Sequence, residues 1–136
     1  MGILTNAVRD FAGANELAFR CGFAEQMTES PLEFPMIWAE PPVLCGKKGR
    51  NEGTLRYKIR LHILQRNENY SPLFQERIWE GLEKTALRLY EALAVHPKIA
   101  STENITCTPA RSALTNYGEL SVCVTFEAEI LYCESF

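Results

Sequence analysis

Aspartate is nearly missing from this chain. Of its 136 residues, 17 are acidic, and Asp10 is the single aspartate among them. Calcium loops and two-metal centres draw on several aspartates, so neither is expected. The two histidines, His62 and His96, stand apart, without H-E-x-x-H or any Cys/His ligand spacing. No metal and no cofactor is therefore expected. Five cysteines (Cys21, Cys45, Cys107, Cys123 and Cys133) are an odd number with no close C-x-x-C pair. That excludes a fully paired disulfide framework within one chain and favours small buried thiols. No stretch approaches the ~18 apolar residues of a membrane span. A basic-then-apolar leader is also missing, so cytoplasmic synthesis is expected, without a membrane partner. There is neither a G-x-S-x-G turn nor a G-x-x-x-x-G-K-[ST] loop. The expectation is a protein that is not an enzyme.

What is present suits an ordinary globular chain, 46% hydrophobic and 23% charged. Its length fits a single domain over residues 1–136. A net charge of −3 argues against a dedicated nucleic-acid binder.

Ser71 to His96 is the stretch the rest is organised around. Phe74, Ile78, Leu82, Ala86, Leu89 and Leu93 recur every three or four residues, the period of one helix face. Ser71 suits the cap, Pro72 the first helical position, and Pro97 cannot continue the ladder. His96 falls in the last turn, where an imidazolium favours the negative end of the helix dipole. Burying the five large apolar side chains contributes about 1.5–3 kcal/mol each, while ordering each backbone residue costs about 1–2 kcal/mol. The helix must therefore lie on an apolar surface.

The flanking segments supply one. Ile3 to about Gly13 reads as a short amphipathic helix. Glu16–Met27 fits both a strand and a helix, with the extended reading preferred. Thr28–Glu33 reads as a loop. Phe34–Cys45 is apolar but holds Pro35, Pro41 and Pro42, which points to an edge or interrupted strand. Gly46–Gly53 reads as the glycine-rich tip of a long hairpin. In Thr54–Gln65, Leu55, Tyr57, Ile59, Leu61 and Ile63 alternate with Arg56, Lys58, Arg60 and His62. Asn67–Tyr70 turns into the long helix. Ile105–Ala110 and Leu120–Tyr132 read as closing strands joined by Leu114–Gly118, with Glu127 and Glu129 on the polar face of the second. The pattern predicts an α+β two-layer domain, a mainly antiparallel sheet of about four strands with one long and one short helix on one face.

Alternate strand residues lie ~6.5–7 Å apart, so the Arg56, Lys58, Arg60 and His62 stripe needs countercharge. Glu127 and Glu129 supply it if the two strands are neighbours. A solvated face with cross-strand ion pairs is the favoured reading, a subunit or partner contact is the main alternative, and a phosphate or nucleic-acid site is a distant third. The Lys47, Lys48 and Arg50 tip is read as a flexible turn or a partner-contacting arm. Trp79 and Tyr90 widen the apolar arc of the long helix; the N-terminal helix or a neighbouring subunit covers them.

In layout the chain resembles the tail terminator and tail-completion proteins of long-tailed bacteriophages and related prophage proteins. The likeness rests on Phe34-Pro35-Met36-Ile37-Trp38, Thr54–Gln65, Leu73–Leu93, and Tyr117–Leu131 with its Asn-Tyr-Gly-Glu-Leu lead-in. Glu16–Met27 and the five cysteines have no counterpart in it. The resemblance implies a virion structural protein assembled in the host cytoplasm, a hexameric ring on the end of the tail tube that stops growth and meets head-completion proteins. It implies no sequence-specific nucleic-acid contact. A small protein-binding adaptor or ligand-binding domain is the competing reading.

Overall fold

The strict alternation after Gly53 builds the strand to which everything else is joined. The computed structural model describes residues 2–29, 32–67, 71–115 and 117–133. In chain order these form α1 (Ile3–Ala14), β1 (Ala18–Cys21), a 3-10 segment (Ala24–Glu29), β2 (Met36–Ala39), β3 (Val43–Gly49), β4 (Glu52–Gln65), α2 (Pro72–Ala94), β5 (Ile99–Pro109) and β6 (Leu120–Cys133). The six strands form one mixed sheet in the order β1-β2-β4-β6-β5, with β3 also paired to β4. Only β1 and β2 run parallel. The α+β class is as read, with six strands in place of four.

The register decides where the core sits. Ile59 faces Phe126, Leu61 faces Val124, and Ile63 faces Val122. Period two then carries the aliphatics of both strands to one side. Leu82, Ala86, Leu89 and Leu93 of α2 and Leu4, Ala7, Val8 and Ala12 of α1 join them in a single buried cluster. Both helices thus lie on one face, as expected. Ser71 occupies the α2 cap and Pro72 opens the helix, but no Ser71 side-chain capping bond forms. The helix ends at Ala94, so His96 lies just beyond it rather than in its last turn, and its Nδ1 accepts the Lys98 amide at 3.1 Å.

Phe34–Cys45 divides in two. Pro35, Pro41 and Pro42 all fall outside β2, so no proline breaks its ladder. The stretch is interrupted at Pro41 and Pro42, as one of the two readings had it; β2 is internal, between β1 and β4, and the edge is β3. Met36 and Trp38 alternate with Ile37 and Ala39, and all four are buried. Met36 and Trp38 enter a second, smaller cluster with Met27 and Leu64. The 3-10 segment that carries Met27 covers the outer face at this end. Glu16–Met27 is therefore strand in its first half and 3-10 in its second. The Thr28–Glu33, Asn67–Tyr70 and Leu114–Gly118 connections lie partly outside the described residues.

Gly46–Gly53 is not a loose tip. Lys47 pairs with Leu55, Lys48 with Thr54, and Gly49 with Gly53, which leaves a turn only around Arg50 and Asn51. Gly49 has φ +87°, and a Cβ there would overlap the Glu52 carbonyl oxygen. Gly49→Ala is expected to destabilise the fold by more than ~1 kcal/mol, read as a lower urea midpoint with unchanged slope.

Candidate partner-contact surface

The face of the sheet turned away from the helices carries the ionisable stripe. On β4, Arg56, Lys58, Arg60 and His62 stand opposite Glu129, Glu127, Thr125 and Cys123 of β6. Arg56 donates from Nη2 and Nε to Glu129 Oε1, at 2.8 and 3.2 Å. Glu127 and Glu103 each approach its guanidinium at 3.9 Å. Lys48 Nζ lies 3.6 Å from the same Glu129 oxygen.

The other end of the stripe uses a carboxylate that the sequence reading passed over. Glu40 Oε2 accepts from Arg60 Nε at 2.9 Å and lies 2.7 Å from Nε2 of the buried His62. Glu40 continues the outward alternation set by Trp38, and its amide donates to the Arg60 carbonyl at 3.0 Å. That alternation was the available signal. Glu103 was missed because the first half of β5 is polar and shows no strand period. Lys58 is exposed and has no ion-pair partner within 4.0 Å among the described residues. The stripe is thus largely neutralised within the chain.

The Arg56 hydrogen bond, helped by the Lys48 charge, holds the Glu129 carboxyl below the usual carboxylate range, while burial opposes the shift. Glu129 in turn raises the Arg56 guanidinium above its ordinary value. A depressed folded-state pKa gives stability that is fully present above the unfolded value, about 4.3 for Glu. That stability is lost as pH falls through the lowered value. Glu129→Gln is therefore expected to flatten the acid limb of a stability-against-pH curve below about pH 5. High salt is expected to shrink the difference, because the pair is not deeply buried.

The remaining predicted contact residues are dispersed. Arg50 sits in the exposed hairpin turn. Lys47 packs over the Tyr132 ring at 5.0 Å from its centroid. Tyr90 donates from its hydroxyl to the Thr102 carbonyl at 2.9 Å and meets Phe126 edge-on, with ring centroids 5.5 Å apart. Strands β5 and β6, rather than α1, therefore hold Tyr90. Trp79 is half-buried against the main core, and its indole N–H finds no hydrogen-bond acceptor among the described residues. So β4 and β6 bring together Arg56, Lys58, Arg60, Glu127 and Glu129. Trp79 and Tyr90, on the helix side of the sheet, belong to a different surface.

The cysteines depart from expectation. Cys21 and Cys45 are exposed, Cys107 and Cys123 half-buried, and the Cys133 side chain lies outside the described residues. Burial pushes the Cys107 thiol up to about 11 and raises Cys123 as well, so both remain protonated at neutral pH. Among the described residues, no three His, Cys, Asp or Glu side chains converge as metal ligands. No helix there is long and apolar enough to cross a membrane. An open groove of about 490 Å³ lies on the outer face, lined in part by Glu40, Val43, Lys58, Arg60, Asn104 and Glu127.

No family model and no curated protein sequence matches this chain. Among solved structures, a chain from the virion of a native gene transfer agent particle is similar to it at TM-score 0.55 and 9% identity, over 94% of each chain. At that identity the likeness is one of fold, and it runs through nearly the whole length of both chains.

Proposed function

We propose that this chain is a structural component of a phage-like virion. More specifically, it acts as a tail terminator or head–tail joining protein that assembles as a ring on the end of the tail tube. The observation that carries the reading is the fold shared with a gene transfer agent virion chain over 94% of both. The element order supports it, as does a charged face whose groups mostly satisfy one another. On this reading the protein works by binding alone and has no catalytic role. A ring complementary to the last tube layer covers the free interface there and leaves no surface for further addition. A heterologous ring contact needs two different complementary patches, and Lys47, Arg50 and Lys58, which have no ion-pair partner among the described residues, offer the cations for one of them.

The test is mass photometry of the purified chain over a concentration series, with negative-stain imaging of tail tubes mixed with it. Discrete rings, free or seated on tube ends, are the expected outcome. A monomer at every concentration that leaves tube ends bare would end the reading. The outer-face groove favours one alternative, a ligand-binding or adaptor domain. Its carboxylates are already engaged, Glu40 by Arg60 and His62, and Glu127 by Asn104 Nδ2 at 3.0 Å. A small anion that contacts Lys58 and protects the groove against exchange would favour that alternative.

A further inference from the structure

The sheet has three free margins among the described residues, and they differ in kind. β1 offers only the four residues Ala18–Cys21. β5 shifts register twice, between Ile99 and Ser101 and between Glu103 and Thr106, and Asn104 between them takes a left-handed φ of +60°. Short strands and bulges are the usual ways of blunting an edge against pairing. β3 is different. Its seven residues pair only with β4, and every one except Gly46 is exposed. Val43 and Leu44 keep 60% and 56% of their surface in solvent, which is unusual for aliphatics on a strand edge.

The side chains of β3 form a pattern on both faces. Val43 and Lys48 pair with Lys58 and Thr54, on the outer side; Leu44 and Lys47 pair with Tyr57 and Leu55, on the helix side. Each face thus offers one aliphatic residue followed by one ammonium. β3 contains no acid, Arg50 follows in the turn, and Lys58 beside Val43 has no ion-pair partner among the described residues; Lys48 lies 3.6 Å from Glu129 yet keeps 74% of its side chain in solvent. From this geometry we infer that the outer edge of β3 is a strand-addition site for an extended, acidic segment of another protein, one that carries two neighbouring aliphatic residues and two neighbouring carboxylates.

A second copy of this chain does not fit the site. Two β3 edges would bring together two segments that each carry Lys47, Lys48 and the following Arg50 and no acid to offset them, β1 is too short, and β5 is bulged. Main-chain hydrogen bonds would supply affinity, and the alternating side chains specificity. The inference goes beyond the ring reading, because it concerns how a different protein is held rather than how copies meet.

The probe is the peptide acetyl-Glu-Glu-Ser-Thr-Ile-Val-amide together with its reverse sequence, which covers both strand directions. The control replaces both glutamates with lysine. Amide hydrogen exchange is followed in the full chain, with binding read by anisotropy of a labelled peptide. An acidic peptide is expected to slow exchange in residues 43–49 at least threefold and to bind at least tenfold more tightly than the lysine control, with an advantage that shrinks as salt rises. Lys47→Ser, which breaks no ion pair among the described residues, is expected to lose a large part of that advantage, and Val43→Ser with Leu44→Ser most of the binding. Equal binding of the control, protection outside 43–49, or no protection by any acidic probe overturns the inference. None of these results bears on the mass of the free chain or its seating on tube ends, so the ring reading stands or falls separately.

Discussion

Truncating Leu89 to alanine is expected to cost about 2–5 kcal/mol of folding stability. Leu89 is fully buried at the middle of the α2 stripe, in the cluster formed by β4, β6 and both helices. The loss has two parts, the transfer free energy of the removed carbons and the cavity left where close-packed neighbours relax only in part. Leu87 gives the internal control. It lies two residues away and keeps 44% of its surface exposed, so Leu87→Ala is expected to change stability by no more than about 0.5 kcal/mol. Urea denaturation of both variants separates the two readings of α2. Equal small effects would mean that the stripe does not face the sheet.

That stripe was legible because both of its requirements are local. A helix face repeats at 3.6 residues and a strand face at two, so the roles of Leu82, Leu89, Leu61 and Val124 can be read without knowing any partner. The same logic offered Glu127 and Glu129 as countercharge to the Arg56–His62 stripe if the two strands were neighbours, and the register then makes Arg56–Glu129 the specific pair. Three features were not legible, each for a different physical reason. Lys47, Lys48 and two glycines made the Gly46–Gly49 half of β3 look like a loop, because these residues are depleted in strands, yet here the pairing to β4 and the turn geometry at Gly49 outweigh propensity. Pro35, Pro41 and Pro42 suggested an edge or interrupted strand, and the break at Pro41 and Pro42 is there, but that Met36–Ala39 is internal depends on pairing with distant segments. Glu40 is far in sequence from His62 and Arg60, so its place as their shared acceptor depends on a register between β2 and β4 that nothing local encodes.

The split between local and long-range information also bears on the candidate site. Charges that looked available for a partner, such as Arg56 and Arg60, already have carboxylates within 3 Å. Removing one member of such a pair perturbs the fold together with any contact, so charge reversal there is a poor probe of assembly. Lys47, Arg50 and Lys58 are better probes, since changing them breaks no ion pair within the chain among the described residues. Variants at these positions isolate recognition from stability.

The second large effect is expected at Glu119, a carboxylate only 3% exposed at the start of β6. Its Oε1 accepts the Leu114 and Thr115 amides at 2.8 and 3.1 Å, and its Oε2 accepts the Thr115 hydroxyl at 2.6 Å. One side chain thereby satisfies three donors, from Leu114 and Thr115, in the turn that leads into the strand. Glu119→Ala leaves the buried Thr115 amide and the Thr115 hydroxyl proton without an acceptor, although Oγ1 still accepts the Tyr117 amide at 3.2 Å, at about 1–3 kcal/mol for each orphaned donor. Glu119→Gln keeps one carbonyl oxygen for the amides and is expected to lose distinctly less. The turn also presents Tyr117, which is 60% exposed and meets Phe34 edge-on with centroids 5.9 Å apart. Phe34 packs in turn against the second core. Loss of Glu119 should therefore loosen the packing of Tyr117 on Phe34 before the main core responds. Tyrosine fluorescence and hydrogen exchange at residues 114–119 would report this ahead of global unfolding. A Glu119→Ala variant whose turn exchanged no faster than the native chain would show that the carboxylate is not what holds it.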